Sequence, residues 1–153
     1  MKPYKVLATN HTSFTVSSLD RTVGFFTDVL GFELLNRSQR DPEFTEKVTG
    51  VPGARIEIAY LQAPGHRLEL IQYHAPAERK QVDSRPCDTG FAHVAFDVDD
   101  LDAVLVAAQK FDVKPLSPPL TVNAGPNKGG KAVYTRDPDG VTVEFIQKPR
   151  AQG

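Results

Sequence analysis

The stretch His11-Thr12-Ser13-Phe14-Thr15-Val16-Ser17-Ser18-Leu19-Asp20 reappears 82 residues on as His93-Val94-Ala95-Phe96-Asp97-Val98-Asp99-Asp100-Leu101-Asp102, identical at five of ten positions. A second echo closes each copy: Leu68-Glu69-Leu70-Ile71-Gln72 returns 75 residues on as Val143-Glu144-Phe145-Ile146-Gln147. Self-similarity of this kind marks a duplicated supersecondary unit, each copy running from a His to a Glu. The offsets differ by seven because the first copy carries an extra segment, 41–50.

Within each copy the patterning reads strand, helix, then three strands. Residues 9–17 and 91–98 alternate, setting Phe14 and Val16, or Val94, Phe96 and Val98, on one face and His11 and His93 on the other. Ser17-Ser18 supplies helix-capping chemistry. Leu19, Val23, Phe26 and Leu30 then recur at helical spacing until Gly31 stops the helix. Asp99-Asp100 caps the second copy, with Leu101, Val104, Leu105, Ala108 and Phe111 as its stripe. Strands are expected at 32–39, 54–62 and 67–73, and again at 114–116, 131–136 and 141–147. The unpartnered segment 41–50 has an Asp cap, a Pro in its first turn and a Gly stop, so it reads as a short helix presenting Phe44 and Val48. Such a helix is expected either to close one side of the site or to contact a second copy of the chain. The Pro- and Gly-bearing stretch 75–90 is the joint. The expected architecture is α+β: one domain spanning 1–153, built of a module over about 9–75 and another over about 91–148.

A chain of 153 residues with 40% hydrophobic and 24% charged residues can bury a core. No run approaches the length of a membrane span. A formal charge of −1 without a Lys/Arg block supplies no footprint for nucleic acid. One cysteine, Cys87, and no apolar leader in residues 1–12 make cytoplasmic residence the expectation.

Residues two apart on a strand share a face, so Arg67, Glu69, Ile71 and Tyr73 oppose Leu68 and Leu70, and Thr142, Glu144 and Ile146 oppose Val143 and Phe145. Taken singly, a strand His or Glu is commonly a wet surface residue. Recurrence of both at equivalent positions argues otherwise, since solvent-facing identities would be scrambled as two copies diverge. If the halves pack about a pseudo-twofold, His11, Glu69, His93 and Glu144 converge. Two imidazoles and two carboxylates suit one divalent ion (Zn, Ni, Co, Mn or Fe) with two positions left for water or substrate. His66 and His74 fall on the other parity and read as surface residues. Gly125–Gly130 mimics a phosphate-binding loop, but Ala132 stands where a metal-binding Ser/Thr is needed and a strand follows.

The paired His11…Glu69 and His93…Glu144, the helix–strand stretch 19–32 ending Phe25-Phe26-Thr27-Asp28-Val29-Leu30-Gly31-Phe32, and Arg136-Asp137-Pro138-Asp139-Gly140…Glu144-Phe145 resemble the vicinal oxygen chelate superfamily, which groups glyoxalases, bleomycin-resistance proteins and dioxygenases. The resemblance covers about 9–148. It implies two tandem βαβββ modules whose mixed sheets curl into a cup around one divalent metal, commonly in a homodimer. The four-ligand set His11, Glu69, His93 and Glu144 resembles glyoxalase I position by position and implies a metal-dependent lyase or isomerase. Such an enzyme acts on a small 2-oxo, hemithioacetal or acyl-thioester substrate through an enediolate or enolate. Glu144, with Glu69, is then expected to move the proton. Phe44, Tyr60, Tyr73, Tyr134 and Arg136 are the expected substrate contacts. The alternatives are an Fe(II) extradiol-type dioxygenase and a non-catalytic binding or resistance protein.

Overall fold

The two helices that the copies share start where the sequence caps them. Ser18 Oγ accepts from the Arg21 N–H at 3.2 Å, and Asp100 Oδ1 accepts from the Ala103 N–H at 2.9 Å. The computed structural model describes residues 2–149. The chain divides into two compact units, one up to Glu78 and one from Arg79.

The first unit comprises β1 (Thr12–Thr15), α1 (Leu19–Gly24), β2 (Glu33–Gln39), α2 (Pro42–Thr49), β3 (Arg55–Ala63) and β4 (His66–Ala75), with sheet order β1-β4-β3-β2. The second comprises β5 (Val94–Asp97), α3 (Leu101–Ala108), β6 (Lys114–Pro115), β7 (Leu120–Thr121), β8 (Lys131–Arg136) and β9 (Thr142–Gln147), in the order β5-β9-β8-β6 with β7 also on β8. Both first strands lie parallel to the last strand of their unit, and the remaining pairings are antiparallel.

The duplication extends to register. Ser13, two residues after His11, pairs with Glu69, and Ala95, two after His93, pairs with Glu144. It extends also to a tie between strand and helix. Gln72 Oε1 accepts the Leu19 N–H at 2.8 Å, and Gln147 Oε1 accepts the Leu101 N–H at 2.9 Å. Each glutamine thus satisfies a donor that an α-helix leaves without an intrahelical partner at its start.

The faces of the sheets opposite the His and Glu residues form the cores. Leu61, Leu68 and Leu70 are buried with Leu19, Thr22, Phe25 and Phe26 in the first unit, and Val133, Val143 and Phe145 with Leu101 and Ala108 in the second. The burial of α1 departs from the expected stripe. Phe25–Val29 adopts the wider π-helical turn, which brings Phe25 and Phe26 both inside, while Val23 and Leu30 stay half-exposed. β1 and β5 are shorter than the alternation suggests, because each is an edge strand whose ladder spans only four partners. β7 was not expected. It forms because Val122 and Gly130 close a hairpin, the Val122 N–H donating to the Gly130 carbonyl at 2.9 Å. Among the described residues no helix is long and apolar enough to cross a membrane.

Candidate metal and substrate site

In the first unit His11 sits just ahead of β1 and Glu69 on β4, and the His11 Nε2–Glu69 Oε2 distance is 3.3 Å. Asn10 Oδ1 lies 2.6 Å from His11 Nδ1, which fixes the ring and leaves Nε2 for the carboxylate side. Tyr60, the β3 residue directly across from Glu69, meets the His11 ring edge-on with centroids 5.7 Å apart. In the second unit His93 Nε2 lies 3.1 Å from Glu144 Oε2, and Tyr134, across from Glu144 on β8, brings its hydroxyl to 3.4 Å from the same nitrogen. Phe91 stacks on His93 at 6.0 Å between centroids.

Each unit therefore carries a His–Glu–Tyr cluster of the same construction. The carboxylates are well covered, Glu69 at 13% and Glu144 at 19% side-chain exposure, while the imidazoles of His11 and His93 stay open at 30% and 31%. Burial, then the bond to Glu69, pushes the Tyr60 hydroxyl above the usual phenol range; burial, then the Glu144 charge, does the same for Tyr134. Both phenols are neutral donors at physiological pH.

The donor set fits a divalent ion. Two ligand atoms at about 2.1 Å from one ion are about 3.0–3.4 Å apart for octahedral to tetrahedral angles, and the two His–Glu separations, 3.3 and 3.1 Å, match that spacing. Among the described residues no third His, Cys, Asp or Glu joins either pair.

The other expected site residues divide. Tyr73 is half-buried further along β4 on the Glu69 face. Phe44 and Val48 lie exposed, at 62% and 66%; the residue that α2 buries is Thr45. Arg136 is engaged in its own unit, where Nη2 donates to the Ser84 carbonyl at 2.8 Å and Nη1 lies 3.9 Å from Asp83. It thereby ties the joint between the copies onto the β8–β9 hairpin. His74 is exposed and reaches Glu57 at 3.3 Å, whereas His66 is half-buried and meets Thr12 Oγ1 at 2.8 Å. A cavity of about 320 Å³ opens beside Glu144 and Tyr134, walled in part by Leu120, Val122 and Ala132.

Sequence reasoning did not single out Asn10, Phe91, Arg40 or the two glutamines. The glutamines were visible as the last letters of the second echo. Asn10 and Phe91 flank the two His but have no counterpart in the other copy, and Arg40 lies just past the end of β2.

A family model described as Glyoxalase/Bleomycin resistance protein/Dioxygenase superfamily matches residues 8–145. The chain is 32% identical over 145 residues to the lactoylglutathione lyase of Haemophilus influenzae, covering 90% of each chain. It is 36% identical over 150 residues to the 2-epi-5-epi-valiolone epimerase of an Actinomyces species, covering 94% of this chain and 80% of that one. Among solved structures, a glyoxalase family protein of Bacillus cereus superposes with a TM-score of 0.82 at 24% identity, covering 97% of this chain and 99% of that one, a likeness of fold.

Proposed function

Since the chain belongs to the Glyoxalase/Bleomycin resistance protein/Dioxygenase superfamily, we propose that it is a metal-dependent lyase or isomerase of glyoxalase type. Its substrate is a small oxygenated molecule of the 2-oxo, hemithioacetal or acyl-thioester class. The observation that carries this reading is the identical register of His11–Glu69 and His93–Glu144, which gives both units the same two-donor pair at ligand spacing. One divalent ion bound by His11, Glu69, His93 and Glu144 would supply Lewis-acid stabilisation of an enediolate or enolate on the substrate's vicinal oxygens.

The chain's own residues do the rest. Glu144 takes a proton from the carbon beside the carbonyl and returns it, with Glu69 as its counterpart in the other unit. Tyr134, 3.4 Å from His93 Nε2, and Tyr60, directly across from Glu69, are neutral hydroxyls placed to meet substrate oxygen. Phe91 shields one face of His93 from water. The apolar cavity beside Glu144 receives the part of the substrate that flanks the reacting carbon. Tyr73, Phe44 and Arg136 are further candidate contacts, and a homodimer is the proposed assembly.

The test is a screen of hemithioacetals, 2-oxo acids and acyl thioesters with metal-reconstituted protein in deuterated water under argon. Turnover or solvent label at the transferred position is expected without oxygen, and Glu144→Gln abolishes it. An absolute need for molecular oxygen, with ring cleavage of a catechol, would hand the site to dioxygenase chemistry instead.

A further inference from the structure

Arg40 differs from its neighbour Arg37 and from Arg136. Arg37 is held by Glu57 at 2.7 Å and by Asp20, and Arg136 lies near Asp83. Arg40 is half-buried and, among the described residues, has no carboxylate partner. Its Nη1 donates to Ser38 Oγ at 3.1 Å, and its charge, like that of Glu69, acts on the Tyr60 hydroxyl. Asn36 pairs with Tyr60, and Tyr60 with Glu69, so the even-numbered residues Asn36, Ser38 and Arg40 occupy the sheet face that carries Glu69. The Arg40 backbone is fixed beside Ile56, its N–H donating to the Ile56 carbonyl at 3.1 Å, and the side chain runs back over Ser38 toward Tyr60.

A guanidinium offers five N–H donors in a planar fork suited to carboxylate or phosphoryl oxygens. One bond to a hydroxyl leaves most of that fork unused and none of its charge balanced. The carboxylate nearest through Tyr60 is Glu69, which the reading above commits to a metal ion. From this geometry we infer that Arg40 is a specificity-determining residue. It recognises an anionic oxygen group, carboxylate or phosphoryl, carried by the substrate a few bonds from the reacting carbonyl. This rests on the function proposed above and narrows it to anionic substrates.

Three hydroxamates test the inference, because a hydroxamate offers two vicinal oxygens while its tail can be varied: butyrohydroxamate with a neutral tail, succinate monohydroxamate with a carboxylate, and 3-phosphonopropionohydroxamate with a phosphonate. Each is titrated calorimetrically into the full-length, zinc-loaded chain, wild type and variants. At least one anionic probe is expected to bind about tenfold or more tighter than butyrohydroxamate, as charge-assisted bonds to a partly covered Arg imply. The favoured anion identifies the substrate group. Arg40→Gln is expected to bring that ratio below about threefold, whereas Arg40→Lys, which keeps the charge but not the fork, retains part of it. Melting curves establish that the variants are folded, and the Lys variant carries the comparison if Gln is not tolerated. Equal affinity for all three probes in the wild type, or an advantage that survives removal of the Arg40 charge, overturns the role of Arg40 while leaving the metal reading intact. Failure of the zinc-loaded chain to bind any of the three overturns both.

Discussion

Gln72→Leu tests whether the strand that carries Glu69 is pinned to α1 in the manner described. Leu19 has 0% exposure, and its N–H, the first of α1, finds its acceptor in Gln72 Oε1 at 2.8 Å. Leucine fills much of the same volume but accepts no hydrogen bond, so the N–H is stranded at a site water does not reach. A stranded buried donor costs about 1–3 kcal/mol. At about 2 kcal/mol, and about 2–4 °C per kcal/mol for a chain of this size, the melting temperature falls by about 4–8 °C. Gln72→Glu keeps an oxygen acceptor and places negative charge at a helix start, where the dipole favours it, so it recovers most of the loss. Urea denaturation followed by far-ultraviolet circular dichroism, with thermal melts, measures all of this. Gln147→Leu behaves alike at Leu101, because the second unit repeats the tie at 2.9 Å. A Gln72→Leu protein melting within about 1 °C of wild type, or a Glu variant no better than the Leu one, would refute the reasoning.

Gly130→Ala is expected to destabilise by about 1–3 kcal/mol in the same assays, because a Cβ there would strike the Gln147 carbonyl oxygen and come within 3.1 Å of that of Asn127, leaving backbone to move. The bond to Arg37, opposed by burial and aided by His74, holds the Glu57 carboxyl below its usual range. A depressed carboxyl stabilises the folded state above its unfolded pKa, about 4.5, and loses that contribution as pH falls through the folded value. Arg37→Met is accordingly expected to lower stability at pH 7 and to flatten its decline below pH of about 4.5, read from urea midpoints across pH. Phe44→Ala, at an exposed position, is expected to leave stability within about 0.5 kcal/mol of wild type in a urea titration.

The sequence carried the fold because the duplication, the caps and the strand parity agreed with one another. Asp41, Pro42 and Gly50 bounded α2, whose Asp41 Oδ1 accepts from the Phe44 N–H at 2.8 Å, and Ser18 and Asp100 set the helix starts. What it did not carry depends on contacts that a period cannot encode. The π-helical turn at Phe25–Val29 inserts one residue into the expected stripe, so Phe25 is buried where Leu30 was expected. Phe44 and Val48 have the spacing of a packed face, yet α2 turns Thr45 to its unit instead. The His–Glu pairs were legible from strand parity together with their recurrence in both copies, and cross-strand register adds Tyr60 and Tyr134 as their neighbours. Arg40 was not legible, because it lies beyond the end of β2 and reaches the site only by the length of its side chain.

The central claim is a single divalent ion bound by His11, Glu69, His93 and Glu144, and its most direct test is metal stoichiometry. The chain is stripped with chelator, offered Zn, Ni, Co, Mn or Fe(II) in turn, desalted, and assayed for metal per chain in wild type, His11→Ala and His93→Ala. The account predicts one equivalent per chain in the wild type for at least one of these metals, with affinity falling tenfold or more in either variant. A wild-type chain that retains none of the five, or two ions per chain of which one survives each substitution, would contradict it.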